Sequence, residues 1–195
     1  MSRIEHILKS RQEYTCGKCG CVIEKGSGYF RANRMYQKPV IRCEDCGIKP
    51  YETGNEYTQE VGAIAEDWRS SYDIEEETVE YIINALDDIK CMEEEKLENL
   101  GENLRYSPNG EMFQERIDNI DSVISDLEDI DFEQMRDTEA ENFASDKEGL
   151  DISISTYEEL TSAIQDDEKL QREFVEYYNN AIAEAIDNAL GNLEY

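Results

Sequence analysis

The sequence predicts a mostly α chain: a small N-terminal module built on a β-hairpin and cysteine pairs, followed by an acidic helical hairpin or bundle. Three observations carry this expectation. Four of the six cysteines fall into two Cys-x-x-Cys-Gly units within residues 16–47, among short β-favouring runs. From residue 73 onward, apolar residues recur at three- and four-residue steps. The charge is divided as unevenly as the composition. Residues 1–50 hold 10 basic and 5 acidic side chains and residues 51–195 hold 9 and 42, giving +5 and −33 within an overall −28.

Ser2 with Glu5 fits a capping box, and Ile4, Ile7 and Leu8 give a short apolar face, which predicts a brief helix over residues 2–12. Tyr29-Phe30-Arg31 and Val40-Ile41-Arg42 read as strands and complete a module over residues 1–50. Residues 50–54 read as a connector, and Val61, Ile64, Ala65 and Trp68 mark a connector helix within residues 51–72. Residues 73–195 form the expected acidic helical domain. Asp73 can cap its first helix, whose stripe is Val79, Ile82, Leu86 and Ile89, then Leu97, Leu100 and Leu104. Tyr106-Ser107-Pro108-Asn109-Gly110 is a turn signal. Phe113, Ile117, Ile120, Ile124 and Leu127 then repeat the helical spacing. This predicts two helices of some 32–36 residues in an antiparallel hairpin about 50 Å long. After a loop near residues 145–153, Ser155 with Glu158 forms a second capping box. The helix it opens runs to about residue 193, with a break at Gln165-Asp166-Asp167.

The two cysteine units are Cys16-Gly17-Lys18-Cys19-Gly20 and Cys43-Glu44-Asp45-Cys46-Gly47, with 23 residues between Cys19 and Cys43. Two cysteines at i and i+3 on a tight turn point to one centre, and a following glycine permits the left-handed backbone such a turn needs. Cys16, Cys19, Cys43 and Cys46 are therefore expected to hold a structural Zn²⁺ in a four-thiolate shell. Disulfides and an iron–sulfur cluster are the competing readings, and the cytoplasmic setting expected for a chain without a secretory signal disfavours the first. A complete shell leaves no position for substrate, which argues against zinc catalysis. Cys21, two residues after Cys19, is a fifth candidate that could replace a neighbouring ligand, but Cys-x-Cys is the less economical geometry beside an intact Cys-x-x-Cys, and a bystander is the preferred reading. Cys91 reads as a helix residue and His6 as a solvated histidine. Over residues 16–47, including Val22-Ile23, Gly26, Gly28 and Tyr29-Phe30-Arg31, the chain resembles the zinc-ribbon and treble-clef families. That resemblance implies a fold element used for nucleic acid, for protein docking or for stability.

Lys25, Arg31, Arg34, Lys38 and Arg42 lie among Tyr29, Phe30 and Tyr36, an interleaving that suits phosphates and stacked bases. Five cations are few beside −33 elsewhere, and an ordinary solvated hairpin, or one docked on the chain's own acidic helices, is the preferred reading. Residues 73–146 hold 25 acidic and 5 basic side chains, net −20. Over the expected hairpin that is one net charge per about 2.5 Å, against one per about 1.7 Å of axis in B-DNA. Glu80, Asp87, Glu94, Glu98, Glu102, Glu115, Asp118, Asp121, Glu128 and Asp129 lie off the apolar stripe and are expected to face a partner. An acidic surface that only confers solubility is the bland alternative.

In charge and architecture this part resembles phage-encoded DNA mimics that block restriction or CRISPR nucleases. The resemblance implies an inhibitor acting in the host cytoplasm on the basic cleft of a DNA- or RNA-binding defence protein. The alternative is a zinc-finger regulator or adaptor that binds nucleic acid or transcription machinery through residues 14–50. Enzymatic activity is not expected: the chain carries no P-loop, GxGxxG or HExxH, and a single histidine. Asp129, Asp131 and Glu133 alternate as in a calcium loop, but Gln134 stands where that loop needs glycine. No run approaches the roughly 18 apolar residues of a membrane span, and the acidic half has the wrong sign for an anionic membrane surface.

Overall fold

The first element of the chain is a strand, β1 (Ile4–Ile7), where the capping pattern predicts a helix. The structure is a computed structural model that describes all residues except 1–2, 34–37, 71–73, 75, 148, 152 and 194–195. Ser2, Arg34, Tyr36 and Asp73 thus lie outside the described residues. The spacing of Ile4 and Ile7 that suggests a helical face instead sends the two side chains to different clusters. Ile4 packs with Ala32, Val40 and Ile48, and Ile7 packs with Cys16, Ile23, Tyr29 and Cys43. An isolated helix of this length is marginal in water, whereas a strand gains a full row of backbone partners from β4 (Tyr29–Ala32).

β4 is the centre of a three-stranded antiparallel sheet, flanked by β1 and by β5 (Val40–Cys43). The register pairs Ile4 with Ala32 and Ile7 with Tyr29 on one side, and Tyr29 with Cys43 on the other. β2 (Tyr14–Thr15) and β3 (Val22–Ile23) form a separate short hairpin ladder. A 3₁₀ turn, Pro50–Thr53, follows and is tied back to β5 by Arg42, whose Nη2 donates to Glu52 Oε1 at 3.1 Å. α1 (Glu56–Asp67) and a 3₁₀ turn, Trp68–Ser70, come next. The chain divides into two compact units at Ile64 and Ala65, within α1.

The second unit is helical. α2 (Glu76–Asn99) and α3 (Pro108–Glu128) pack together. Ion pairs of Lys90 with Asp121 and of Glu93 with Arg116 fix their antiparallel sense. Val79, Ile82, Leu86 and Ile89 are buried on α2, and Ile117, Ile120, Val123 and Leu127 on α3. Val123 thus takes the inner place expected for Ile124. The helices are about 36 and 32 Å long at a 1.5 Å rise, shorter than the predicted 50 Å.

Both ends of the expected hairpin fall short for local reasons. α2 stops at Asn99, and Leu104 lies in a 3₁₀ turn, Glu102–Leu104, with half its surface exposed. The Asn-Gly signal is not the turn. Ser107 caps α3, Pro108 takes its first position, and Gly110 lies in the first helical turn. A Cβ on Gly110 would come 2.1 Å from the Arg105 carbonyl oxygen, so glycine allows the loop to close over the helix start. At the far end α3 gives way to α4 (Phe132–Asp146), because Asp131 caps a new helix by accepting from the Gln134 amide at 2.9 Å.

α5 (Tyr157–Ile164) and α6 (Glu168–Leu190) complete the chain, broken at residues 165–167 as the sequence predicts. Asp167 caps α6. The α5 cap sits one residue later than the predicted Ser155–Glu158 box. Thr156 accepts from the Glu159 amide, and the Glu159 carboxylate accepts from the Ser155 amide at 2.9 Å. Phe143, Phe174, Tyr157, Tyr177 and Tyr178 build an aromatic core where α4, α5 and α6 meet, with the Phe143 and Phe174 rings edge-on at 5.4 Å. No helix among the described residues is long and apolar enough to cross a membrane.

Candidate metal centre

Two like turns build the cysteine site. In the first, the Gly20 amide donates to the Cys16 carbonyl at 3.0 Å, and in the second the Gly47 amide donates to the Cys43 carbonyl at 3.1 Å. Gly20 and Gly47 have φ of 74° and 63°, the left-handed backbone that glycine adopts without a Cβ clash. Each turn folds a Cys-x-x-Cys pair around a backbone amide, as the repeated motif predicts. Gly17 donates to the Ile41 carbonyl at 3.0 Å and so joins the first turn to β5, which ends in Cys43.

The Sγ atoms of Cys16, Cys19, Cys21 and Cys43 all lie within 4.8 Å of one another. Those of Cys19 and Cys43 are 3.7 Å apart. A tetrahedral ion with metal–sulfur bonds of about 2.3 Å sets its ligand sulfurs about 3.8 Å apart, whereas a disulfide needs about 2.05 Å. All six cysteines are free thiols. The spacing and the donor type fit a thiolate-bound metal and not a disulfide.

Cys21 is the member that the sequence reading sets aside. Its signal is the hairpin register. Thr15 pairs with Val22, and the next position brings Cys16 opposite Cys21, with the Cys16 amide donating to the Cys21 carbonyl at 2.9 Å. Cys46, expected as a ligand, lies outside the set of four mutually close sulfurs but packs against the cluster of Cys16, Ile23, Tyr29 and Cys43. The site therefore gathers five thiols.

The five divide by environment. Burial pushes Cys16 up, but the backbone of Cys19, Cys43 and Lys18 outweighs it and brings the thiol down to about 5. The backbone and thiol of Cys21 pull Cys19 down as well. Cys21 is pushed up to about 12 by the Cys19 and Cys43 thiols, and Cys46 to about 12 by those of Cys43 and Cys19. Further thiolates in so small a space need a cation to offset their repulsion, which is what a thiolate-bound metal supplies.

Among the described residues, four of the cations and aromatic rings around this site have partners within it. Tyr29 is buried against Tyr14, and Phe30 stacks on His6 at 4.6 Å. His6 is also paired, with Nε2 2.9 Å from Glu44 Oε1 on the second turn. Arg31 Nε donates to Asn33 at 3.1 Å, and Arg42 is held by Glu52. Lys25 and Lys38 are exposed.

In the helical unit all ten singled-out carboxylates are exposed: Glu80, Asp87, Glu94, Glu98, Glu102, Glu115, Asp118, Asp121, Glu128 and Asp129. Asp121 pairs with Lys90 at 2.5 Å, and Asp118 accepts from Gln114 at 2.8 Å. Residues 76–128 hold 16 acidic and 4 basic side chains, net −12. Over a hairpin of about 36 Å that is one net charge per about 3 Å, more dilute than the sequence estimate. Glu93 is the acid that sequence reasoning missed. It is fully buried, its carboxylate held by Arg116 Nη1 at 2.9 Å and Lys96 Nζ at 2.8 Å. Comparison with protein-family models, curated proteins and solved structures finds no match for this chain.

Proposed function

We infer that the protein is an inhibitor whose acidic helical unit takes the place of nucleic acid in the basic cleft of a DNA- or RNA-binding protein, such as a defence nuclease. The observation that carries this reading is the outward placement of the ten carboxylates on α2, α3 and their turns, around a seam that buries the apolar stripe. An acidic surface of that overall charge acts on a basic partner as phosphates do, by releasing counterions and steering encounter. The charge spacing of about 3 Å is of the order of the 1.7 Å of B-DNA. The cysteine site holds a structural Zn²⁺ that fixes the two turns and the end of β5, and no catalytic role is assigned to it.

The regulator reading, with residues 14–50 gripping nucleic acid, draws less support. Among the described residues, Tyr29 is buried, Phe30 is stacked on His6 and Arg42 is neutralised by Glu52, so these three are not free to meet bases and phosphates, and Lys25 and Lys38 remain exposed. The experiment that separates the two is affinity capture from host lysate at low and at high salt, with duplex DNA as competitor. The inhibitor reading expects a nucleic-acid-binding protein, released both by salt and by DNA. Capture that is equal at both salts and indifferent to DNA overturns it. Binding of DNA or RNA by the chain itself would favour the regulator.

A further inference from the structure

We propose that the metal site has two four-thiolate states, with Cys16, Cys19 and Cys43 common to both and Cys21 and Cys46 exchanging at the fourth position. The proposal rests on the reading of this cluster as a metal site and names its ligands. Two independent pieces of local structure deliver the competing thiols. The β2–β3 register sets Cys21 across from Cys16, and the bond from the Cys16 amide to the Cys21 carbonyl holds it there. The second glycine turn sets Cys46 three residues after Cys43, as the first sets Cys19 after Cys16.

The sulfurs agree with this division. Cys21 belongs to the group of four that lie within 4.8 Å of one another, and Cys46 packs on the same cluster beside Cys43. A tetrahedral ion takes four thiolates, so one of the five is always left over. The leftover is an accessible thiol in either state, because Cys21 is exposed and Cys46 half-buried. Exchange needs no change in the three common ligands, only the approach of one thiolate as the other leaves. The fifth thiol also keeps the shell complete when Cys21 or Cys46 is modified.

The test uses the full-length chain loaded with Co²⁺, whose thiolate charge-transfer absorption counts sulfur ligands. C21S and C46S are each expected to keep the four-thiolate intensity, and the double variant to lose about a quarter of it, from four thiolates to three. Loss of that quarter in either single variant overturns the proposal, since it makes that cysteine the sole fourth ligand. A wild-type chain that takes up no Co²⁺ or Zn²⁺ overturns the metal reading, and this inference with it. Should the variants fail to fold, alkylation of the zinc-loaded wild type gives the same answer. Label is expected at Cys21 or at Cys46 in any one molecule, with exposed Cys91 always labelled. Label confined to one of the two overturns the exchange.

Discussion

Glu93 occupies the place on α2 where the stripe of Val79, Ile82, Leu86 and Ile89 would next set an apolar side chain. A carboxylate there is tolerated because Arg116 reaches it from α3 and Lys96 from the next turn of its own helix. Removing one member of a buried set leaves charge without its counter-charge, whereas replacing the set by apolar groups can be neutral or better. Glu93→Gln is therefore expected to lower the unfolding free energy by about 3 kcal/mol, the low end for a broken buried pair because both cations reach solvent. Glu93→Leu combined with Arg116→Met is expected to recover most of that loss. Urea denaturation followed by circular dichroism measures both. If the double variant is no more stable than Glu93→Gln, the register of α2 against α3 depends on the ion pair itself.

At the scale of elements, caps decide where the helices divide. Asp131 ends the run that begins at Pro108 and starts α4, so Asp131→Ala is expected to cost about 1 kcal/mol. A full hydrogen-exchange profile would place the new opening at the first turn of α4. Between α4 and α6, Lys147 Nζ lies 2.7 Å from Glu173 Oε2 and holds the Glu173 carboxyl below its ordinary range. A carboxyl depressed on folding stabilises the fold above its unfolded pKa, and that contribution disappears as pH falls through the lower, folded value. The Lys147→Met variant is expected to differ from the parent in thermal midpoint at neutral pH and to converge with it in acid. A constant difference across that range would remove Glu173 from the account.

The same scale explains what the sequence made legible. The two Cys-x-x-Cys-Gly turns were readable because each is a local device, written in five consecutive residues. The α2 and α3 seams were readable because burial on a helix repeats. β1 was not, since its partner lies some 25 residues away and its own pattern fits a capping box equally well. The place of Cys21 was hidden for the same reason: it follows from the pairing of Thr15 with Val22, a register that no spacing rule states. The division between α3 and α4 turned on one aspartate among many, in a stretch where acidic residues are too common to stand out. Glu93 was concealed by that same abundance.

For the whole molecule, two units with separate cores give removal of the proposed metal a specific signature. The first unit buries its side chains around the cysteines, in a cluster with Ile23 and Tyr29, and small modules of this kind draw much of their stability from the ion. The second buries its own aromatic and aliphatic seams. A chelator added to the full-length chain is expected to abolish the near-ultraviolet signal of Tyr14 and Tyr29 while leaving the far-ultraviolet helical signal largely intact. Simultaneous loss of both would mean that the helical unit needs the metal as well.

Cys91, exposed on α2, is the sixth cysteine and the one that takes no part in the cysteine cluster. Its neighbours in sequence include Asp87, Asp88, Glu94 and Glu95. Cys91 is thus a chemical handle among acidic residues, and a metal bound at the cysteine cluster, as proposed, would mask most of the competing thiols. On the inhibitor reading proposed above, a photoreactive probe attached there would be carried into the basic cleft that receives the carboxylates, and the covalent adduct would mark the protein that owns it.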